Sequence, residues 1–510
     1  MITRKLSKHT IGMLAALWMV SLVPYTTAAQ PKREDALDAM HRAAKFMVEE
    51  VSCKGGYVWT YAADLSRQWG EAPARKSQIW VQNGTLDMGH AFLDCWEATG
   101  DPYFLECAKK AANALIYGQH PLGGWHYFID FDMSGLDQWY RDVFTNFKWG
   151  MEEYRHYYGN CTFDDNVTTG ATRFLMQMYL ATLDPVYKEP LDRALAFMRL
   201  SQYPSGGWPQ RYPLRSEFVH DGLADYTSYY TLNDGVMFNI IELLVEAYDR
   251  LGDERNMEAA RRGMDFLTVL QGPAQQAAWA DQYGMDLKPA WGRTHEHAGY
   301  MPRYTVQAIH ALHDAWMITG DPRYLKPIPA ALTWLESSAV DTLEDGRIVL
   351  ADRYEYGTNR PLMKTHSERV NEEGYGIWEW TYGYEDRVSR IDLTSLRKEH
   401  EQIAALSPEE ARKRYYQKRE PLRYSPGKAD PKKVETLIMS LDERGAWVEE
   451  LNIFEMDLTK PSPPGVKWDN YRPAENEDHA RDRIKGISTS LFRDHMRALA
   501  DFVAQSEINL

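Results

Sequence analysis

The chain has 510 residues, 44% of them hydrophobic and 13% aromatic, which excludes a disordered or fibrous protein and leaves room for a large core. Lys and Arg number 58 against 73 Asp and Glu, and this net charge of −15 argues against general nucleic-acid binding, because a polyanion is repelled at long range. Seventeen Trp and 31 Tyr suit carbohydrate handling, since their rings stack on sugars as well as filling cores.

Residues 1–29 read as a secretory signal peptide. Arg4, Lys5 and Lys8 supply the charged start, 11–23 a short apolar stretch, and Thr27-Ala28-Ala29 the small-residue cleavage site. The mature protein is expected to be secreted or periplasmic, with no membrane association after cleavage. Cys53, Cys95, Cys107 and Cys161 match no zinc spacing. Four cysteines allow three pairings, and free buried thiols are an equal alternative.

From residue 30 onward the chain repeats itself. A Gly-Gly-aromatic turn recurs at Gly55-Gly56-Tyr57, Gly123-Gly124-Trp125 and Gly206-Gly207-Trp208. Asp101, Asp184, Asp253 and Asp321 follow predicted helix ends at intervals of 83, 69 and 68 residues. Between these marks, apolar residues at i, i+3, i+4 and i+7 predict paired helices, for example over 169–182 and 188–202. Stacked helical hairpins with all long loops at one end predict a mainly α protein: an incomplete α/α toroid with small β or irregular loops at its active-site end. Residues 30–117 extend the toroid and 118–390 form its main part. A strand is expected at Gly346–Ala351, and residues 391–510 are a charged C-terminal extension packed on the toroid, with a hairpin within 433–454 and a closing helix over 487–505.

Three acidic clusters stand at loop or helix starts: Asp164-Asp165, Asn233-Asp234 and Asp130 to Asp132. Oxygen ligands gathered from separate loops suit a hard cation such as Ca2+, although Asp and Asn are also ordinary caps. Arg293, Arg303, Arg353, Arg360, Lys364 and Arg369 are cations in loop-rich stretches of an acidic protein, and Arg grips carboxylates with two prongs. His295-Glu296-His297 lacks the i, i+4 spacing of a helical zinc site.

These segments resemble the family 10 pectate lyases, whose catalytic domain is an α/α toroid. The resemblance runs through Gly123-Gly124-Trp125, Thr162-Phe163-Asp164-Asp165-Asn166-Val167-Thr168 and the segment 202–213, its most specific match. It continues through Asn233-Asp234-Gly235-Val236-Met237, Pro289-Ala290-Trp291-Gly292-Arg293-Thr294-His295-Glu296 and Tyr354 with Thr358-Asn359-Arg360-Pro361, and covers about 118–387. It implies calcium at Asp164 and Asp234, joined by Asp165, and Arg293 as the base that abstracts the C5 proton. Arg353 and Arg360 would hold substrate carboxylates, and a further substrate arginine of the family falls near His366. Trp208, Gln210 and Asn233 are expected along the substrate-binding wall. The implied activity is calcium-assisted β-elimination of a polyuronate such as pectate, with an acidic polysaccharide as partner and a monomer as the working form. Asp165 stands where the family has Asn, and Asp352 where it has an arginine, so ulvan, glucuronan or a decorated pectin remain open as polymers. An α/α-toroid glycoside hydrolase acting on an acidic polysaccharide and an inactive glycan-binding homologue are the alternatives.

Overall fold

The computed structural model describes residues 31–141, 143, 159–214, 224–293, 295–370, 376–384, 388–419, 424–454 and 481–508. The signal peptide expected over 1–29 lies outside them. Fourteen helices are seen among the described residues: α1 (Arg33–Phe46), α2 (Leu86–Thr99), α3 (Pro102–Tyr117), α4 (Leu136–Tyr140), α5 (Val167–Thr182), α6 (Pro185–Leu200), α7 (Val236–Leu251), α8 (Glu254–Val269), α9 (Pro302–Thr319), α10 (Ile328–Ser337), α11 (Leu393–Ala404), α12 (Pro408–Lys418), α13 (Pro431–Met439) and α14 (Thr489–Ile508). None is long and apolar enough to cross a membrane.

The repeated Asp has a definite task. Asp101, Asp184, Asp253 and Asp321 each cap the next helical segment by accepting the backbone N–H two residues on, at 2.9 to 3.1 Å. The residue that ends the preceding helix is left-handed each time: Gly100, Leu183, Gly252 and Gly320. Cap and stop together fold each pair into a tight hairpin, so α2–α3, α5–α6, α7–α8 and α9–α10 are successive units.

The glycine turn joins one unit to the next. Gly206 has φ 110°, and a Cβ there would lie 2.4 Å from the Arg262 carbonyl oxygen of α8, so only glycine allows the approach. The same contact is made by Gly55 against Lys110 of α3, Gly123 against Arg193 of α6, and Gly445 against Arg42 of α1. The aromatic that follows is an anchor. Trp125, Trp208, Trp279 and Trp447 donate their indole N–H to Leu115, Met198, Leu267 and Leu437 carbonyls at 2.8 to 3.0 Å. Repeated end to end, these contacts place α13, α1, α3, α6, α8 and α10 in one row and α14, α2, α5, α7 and α9 in another, which is the α/α toroid.

Within the C-terminal extension, α13 and α14 continue the two rows beside α1 and α2. The hairpin expected within 433–454 is instead α13, a turn at Gly445 and the strand Glu449–Phe454, which pairs with Arg481–Ser488. α14 packs along α2, burying Phe492, Met496, Leu499 and Val503. α11 and α12 cover α10 and α9. All four cysteines are free thiols, with Cys95, Cys107 and Cys161 buried.

Short two-stranded ladders tie neighbouring loops together at the end of the ring: Gln78–Trp80 with Phe128–Asp130, Cys161–Thr162 with Arg211–Tyr212, and Tyr230–Thr231 with Gln282–Tyr283. A four-stranded sheet closes the same end, ordered Gly376–Tyr382, Pro361–Val370, Arg353–Glu355, Gly299–Tyr300. Ile348–Ala351 is a strand, as its β-branched run predicts.

Candidate active site

Two turns built alike carry the acidic residues. In Asp164-Asp165-Asn166 and in Asn233-Asp234-Gly235 the middle residue has φ 48° and the last is again left-handed, at 60° and 75°. Each turn opens a long helix, α5 and α7. Asp and Asn tolerate this geometry better than other side chains, and Gly235 pays no steric cost. Asn83, at φ 54° just before α2, is left-handed as well, but the Gly84 that follows it is not.

The position two residues after each anchoring Trp holds these turns in place through its backbone. Tyr127, Gln210 and Asp281 carbonyls accept Val81, Phe163 and Leu232 N–H groups at 2.9, 2.9 and 2.7 Å. Their side chains then converge on the loop end. Tyr127 OH donates to Asp164 Oδ2 at 2.6 Å. Asp281 takes Arg353 in a fork, Nη1 and Nη2 donating to its two oxygens at 2.9 and 2.6 Å. Gln210 is 1% exposed, and its Oε1 is buried without a hydrogen-bond donor. Both side-chain polar atoms of Gln282, next in the chain, are buried and unpartnered as well. Buried amides are nearly always satisfied, so these two stand out at the loop end.

Asp164, Asp165 and Asp234 come together, each offering a carboxylate oxygen within 4.8 Å of the others. Burial and then the charge of Asp164 push Asp234 up to about 7, with Arg293 pulling the other way. Three hard oxygen donors whose mutual repulsion a cation would relieve fit Ca2+, and no soft ligand stands among them. The third acidic cluster does not take part, because Arg75 Nη1 and Nη2 bind Asp130 and Asp132 at 2.8 and 3.2 Å.

Arg293 is 4% exposed and clamped by Glu296. Its Nε and Nη2 donate to Glu296 Oε2 and Oε1 at 3.1 and 2.9 Å, and its backbone N–H to Oε2 at 2.9 Å. A Cβ on Gly292 would sit 2.4 Å from the same Oε2, so glycine is what lets the carboxylate reach in. Burial alone would raise Glu296, but the charge of Arg293 and the hydrogen bonds from it hold the carboxyl well below the usual range. Burial and the Arg293 charge keep His295 neutral.

The remaining expected residues separate. Asn233 accepts from Tyr304 OH at 2.6 Å beside Asp234. Arg360 is exposed and lies 3.5 Å over the Tyr382 ring. His366 lies in the strand Pro361–Val370, opposite Trp378. Arg353 is 3% exposed and committed to Asp281 and the His297 carbonyl, so its fork is already filled within the protein. Trp208 is corrected: it is fully buried with its N–H spent on Met198, an anchor of the ring and not a wall. Tyr127, Asp281, Gln282 and Glu296 join the candidate site beyond the expected set. The spacing of two from the repeated Trp was the sequence signal for Tyr127 and Asp281.

Residues 135–367 match the family model described as pectic acid lyase. No sequence among curated proteins matches the chain. Among solved structures, the family 10 polysaccharide lyase from Cellvibrio cellulosa is 19% identical, with 49% of this chain and 78% of that chain covered at a TM-score of 0.37. A mutant of that lyase in complex with trigalacturonic acid is 19% identical, with 54% and 86% covered and a TM-score of 0.38. An α-1,6-mannanase from Salegentibacter sp. is 12% identical, with 93% and 99% covered and a TM-score of 0.34. Over residues 135–367 this chain carries a pectic acid lyase domain.

Proposed function

We propose that the protein is a secreted or periplasmic, monomeric polysaccharide lyase that cleaves a polyuronate of the pectate kind by calcium-assisted β-elimination. The observation that carries this reading is the carboxylate triad of Asp164, Asp165 and Asp234, close enough to the buried Arg293–Glu296 pair for their charges to act on Asp234, within a pectic acid lyase domain. Asp164, Asp165 and Asp234 would hold the ion. Bound calcium would draw charge from the uronate carboxylate and so acidify the neighbouring C5–H.

Arg293 is the proposed proton acceptor. The C5 proton moves to it, the C4–O4 bond breaks, a C4=C5 double bond forms and O4 leaves with a proton from solvent. Removing a proton needs the neutral guanidine, whereas Glu296 favours the charged form, so substrate binding has to loosen this pair. Glu296 holds Arg293 through Nε and Nη2. Gln210, Gln282 and Asn233 line the loop end with amides that suit sugar hydroxyls, and Arg360 supplies an exposed cation for a substrate carboxylate.

A panel of polyuronates, including polygalacturonate, glucuronan and ulvan, incubated with calcium and read by ultraviolet absorbance, tests the reading. The expected result is an unsaturated chromophore from at least one polymer, abolished by a chelator and by Arg293→Ala. Reducing ends without that chromophore would make the protein a hydrolase instead.

A further inference from the structure

A cavity of about 280 Å³ lies beside the metal turn and is not used by the chemistry above. It begins at Gly235, the residue after Asp234, and follows α7 to Val245, about 15 Å of helix rise. α9 forms the facing wall from Gln307 to Ile318, with Met264 of α8 behind and Tyr415 of α12 completing the lining.

Its chemistry is selective. Phe238, Ile241, Val245, Ala311 and Ala315 give apolar surface. Against it stand acceptors without donors. Gln307 Oε1 is buried with no hydrogen-bond partner, and Asp314 makes no hydrogen bond or ion pair among the described residues. Burial raises Asp314 to about 6; Lys418 opposes this, while Glu242 and Glu399 add to it. No Lys or Arg lines the cavity. Glu242 is paired with Arg173 at 3.3 Å, but a uronate carboxylate brought here would meet the buried Asp314 with no Lys or Arg in the lining, so the cavity disfavours an acidic sugar. A metal is not favoured either, since among the described residues the group of three or more side chains placed to hold an ion together is the Asp164 cluster. A group with hydroxyl donors on its edge and C–H faces on its flat sides satisfies both the orphan acceptors and the apolar wall.

We infer that this cavity is a subsite for a neutral sugar unit, carried as a branch or at an end of the acidic polysaccharide whose backbone meets the turn at Asp234. The inference rests on the lyase reading for the backbone, and on the cavity alone for the sugar.

The test is binding by calorimetry and ligand-observed NMR to the full chain in chelator, with galactose, arabinose, xylose and rhamnose as neutral probes, galacturonate as the acidic probe and propylammonium as a cationic one. At least one neutral sugar is expected to bind and galacturonate is not. Ala311→Trp, which fills the cavity, and Gln307→Leu, which removes an acceptor, should each weaken that binding about tenfold or more. Both should leave cleavage of unbranched polyuronate unchanged and lower kcat/KM on a polyuronate bearing neutral branches. The inference is overturned if no neutral sugar binds, if propylammonium alone binds, or if two folded variants bind as the native chain does. Sugar binding lost in the variants, without cleavage of any polyuronate, would sink the lyase reading and leave the subsite standing. Cleavage without sugar binding would do the reverse.

Discussion

Arg293 and Glu296 lie three residues apart in a loop that Gly292 lets fold back on itself, and both are buried. Removing the carboxylate takes the ion-pair partner from a buried guanidinium. Glu296→Gln is therefore expected to cost about 3–5 kcal/mol in stability. If Glu296 also sets the orientation of Arg293, kcat should fall by about two orders of magnitude at temperatures where the variant is still folded, with KM little changed. Thermal melts and steady-state rates separate the effects: an unchanged kcat in folded variant would remove the positioning role. Asp234 gives a prediction of opposite sign. Its carboxyl is raised to about 7 in the fold against about 3.9 in an unfolded chain, so in chelator the folded state holds the extra proton between those values. Stability from this group is present at low pH and is lost as pH rises from about 4 to about 7. Asp234→Asn should lose that slope, melt at least as high as the native chain in chelator at pH 8, and no longer gain stability when calcium is added. A calcium-induced rise that survives the substitution would take Asp234 out of the ion site. At this scale the sequence showed which oxygens gather, because Asp-Asp-Asn and Asn-Asp-Gly are turn-formers at repeat spacing. It did not show where a side chain points: Trp208 looked like a sugar platform and is an anchor, and Arg353 looked like a carboxylate grip and is held by Asp281.

Between elements, the joint of α9 with α11 is titratable. His313 of α9 has Nε2 3.1 Å from His400 Nδ1, with the rings stacked at 5.4 Å. His310, Lys418 and Arg414 add positive charge around them, and Glu399 of α11 lies 3.6 Å from His310. Burial, then the charges of His400 and His310, lowers His313 to about 3. An unfolded chain would take up that proton near pH 6.5, so this joint loses stability as pH falls from about 6.5 toward 3. The loss by pH 4 is about 3 kcal/mol for a group this buried. His313→Leu should flatten the melting temperature against pH between 4 and 6.5, relative to the native chain. A variant with the native slope would show that the proton is taken up elsewhere. The helices of this joint were legible as amphipathic stretches. Their pairing was not, because 87 residues separate His313 from His400 and no local pattern links them.

For the whole molecule, the repeat was the legible part and its closure was not. Gly-Gly-aromatic turns and capping Asp residues are local chemistry, so the hairpins of residues 86–337 could be read in order. The hairpin of α13 and α14 carries a variant signature, Gly445-Ala446-Trp447, and it packs against the first helices of the chain. Gly445 meets Arg42 of α1, Arg497 binds Asp94 of α2 at 2.7 Å, and Thr489 donates its N–H to Trp59 at 3.0 Å. The last helix thus supplies the neighbour that α2 lacks on the side away from α5. An appendage could be cut away with little effect, whereas a member of the ring could not. Deleting 431–510 would bare the apolar side of α2 that Phe492, Met496, Leu499 and Val503 cover, each of them at most 2% exposed. The shortened chain is expected to be insoluble or to lack a cooperative melt, although the match to the pectic acid lyase family ends at residue 367. Leu499→Ala in the full chain asks the same question more gently and should cost about 2–5 kcal/mol. A soluble chain of residues 31–430 with the native melting temperature, together with a silent Leu499→Ala, would return α14 to the status of an attachment.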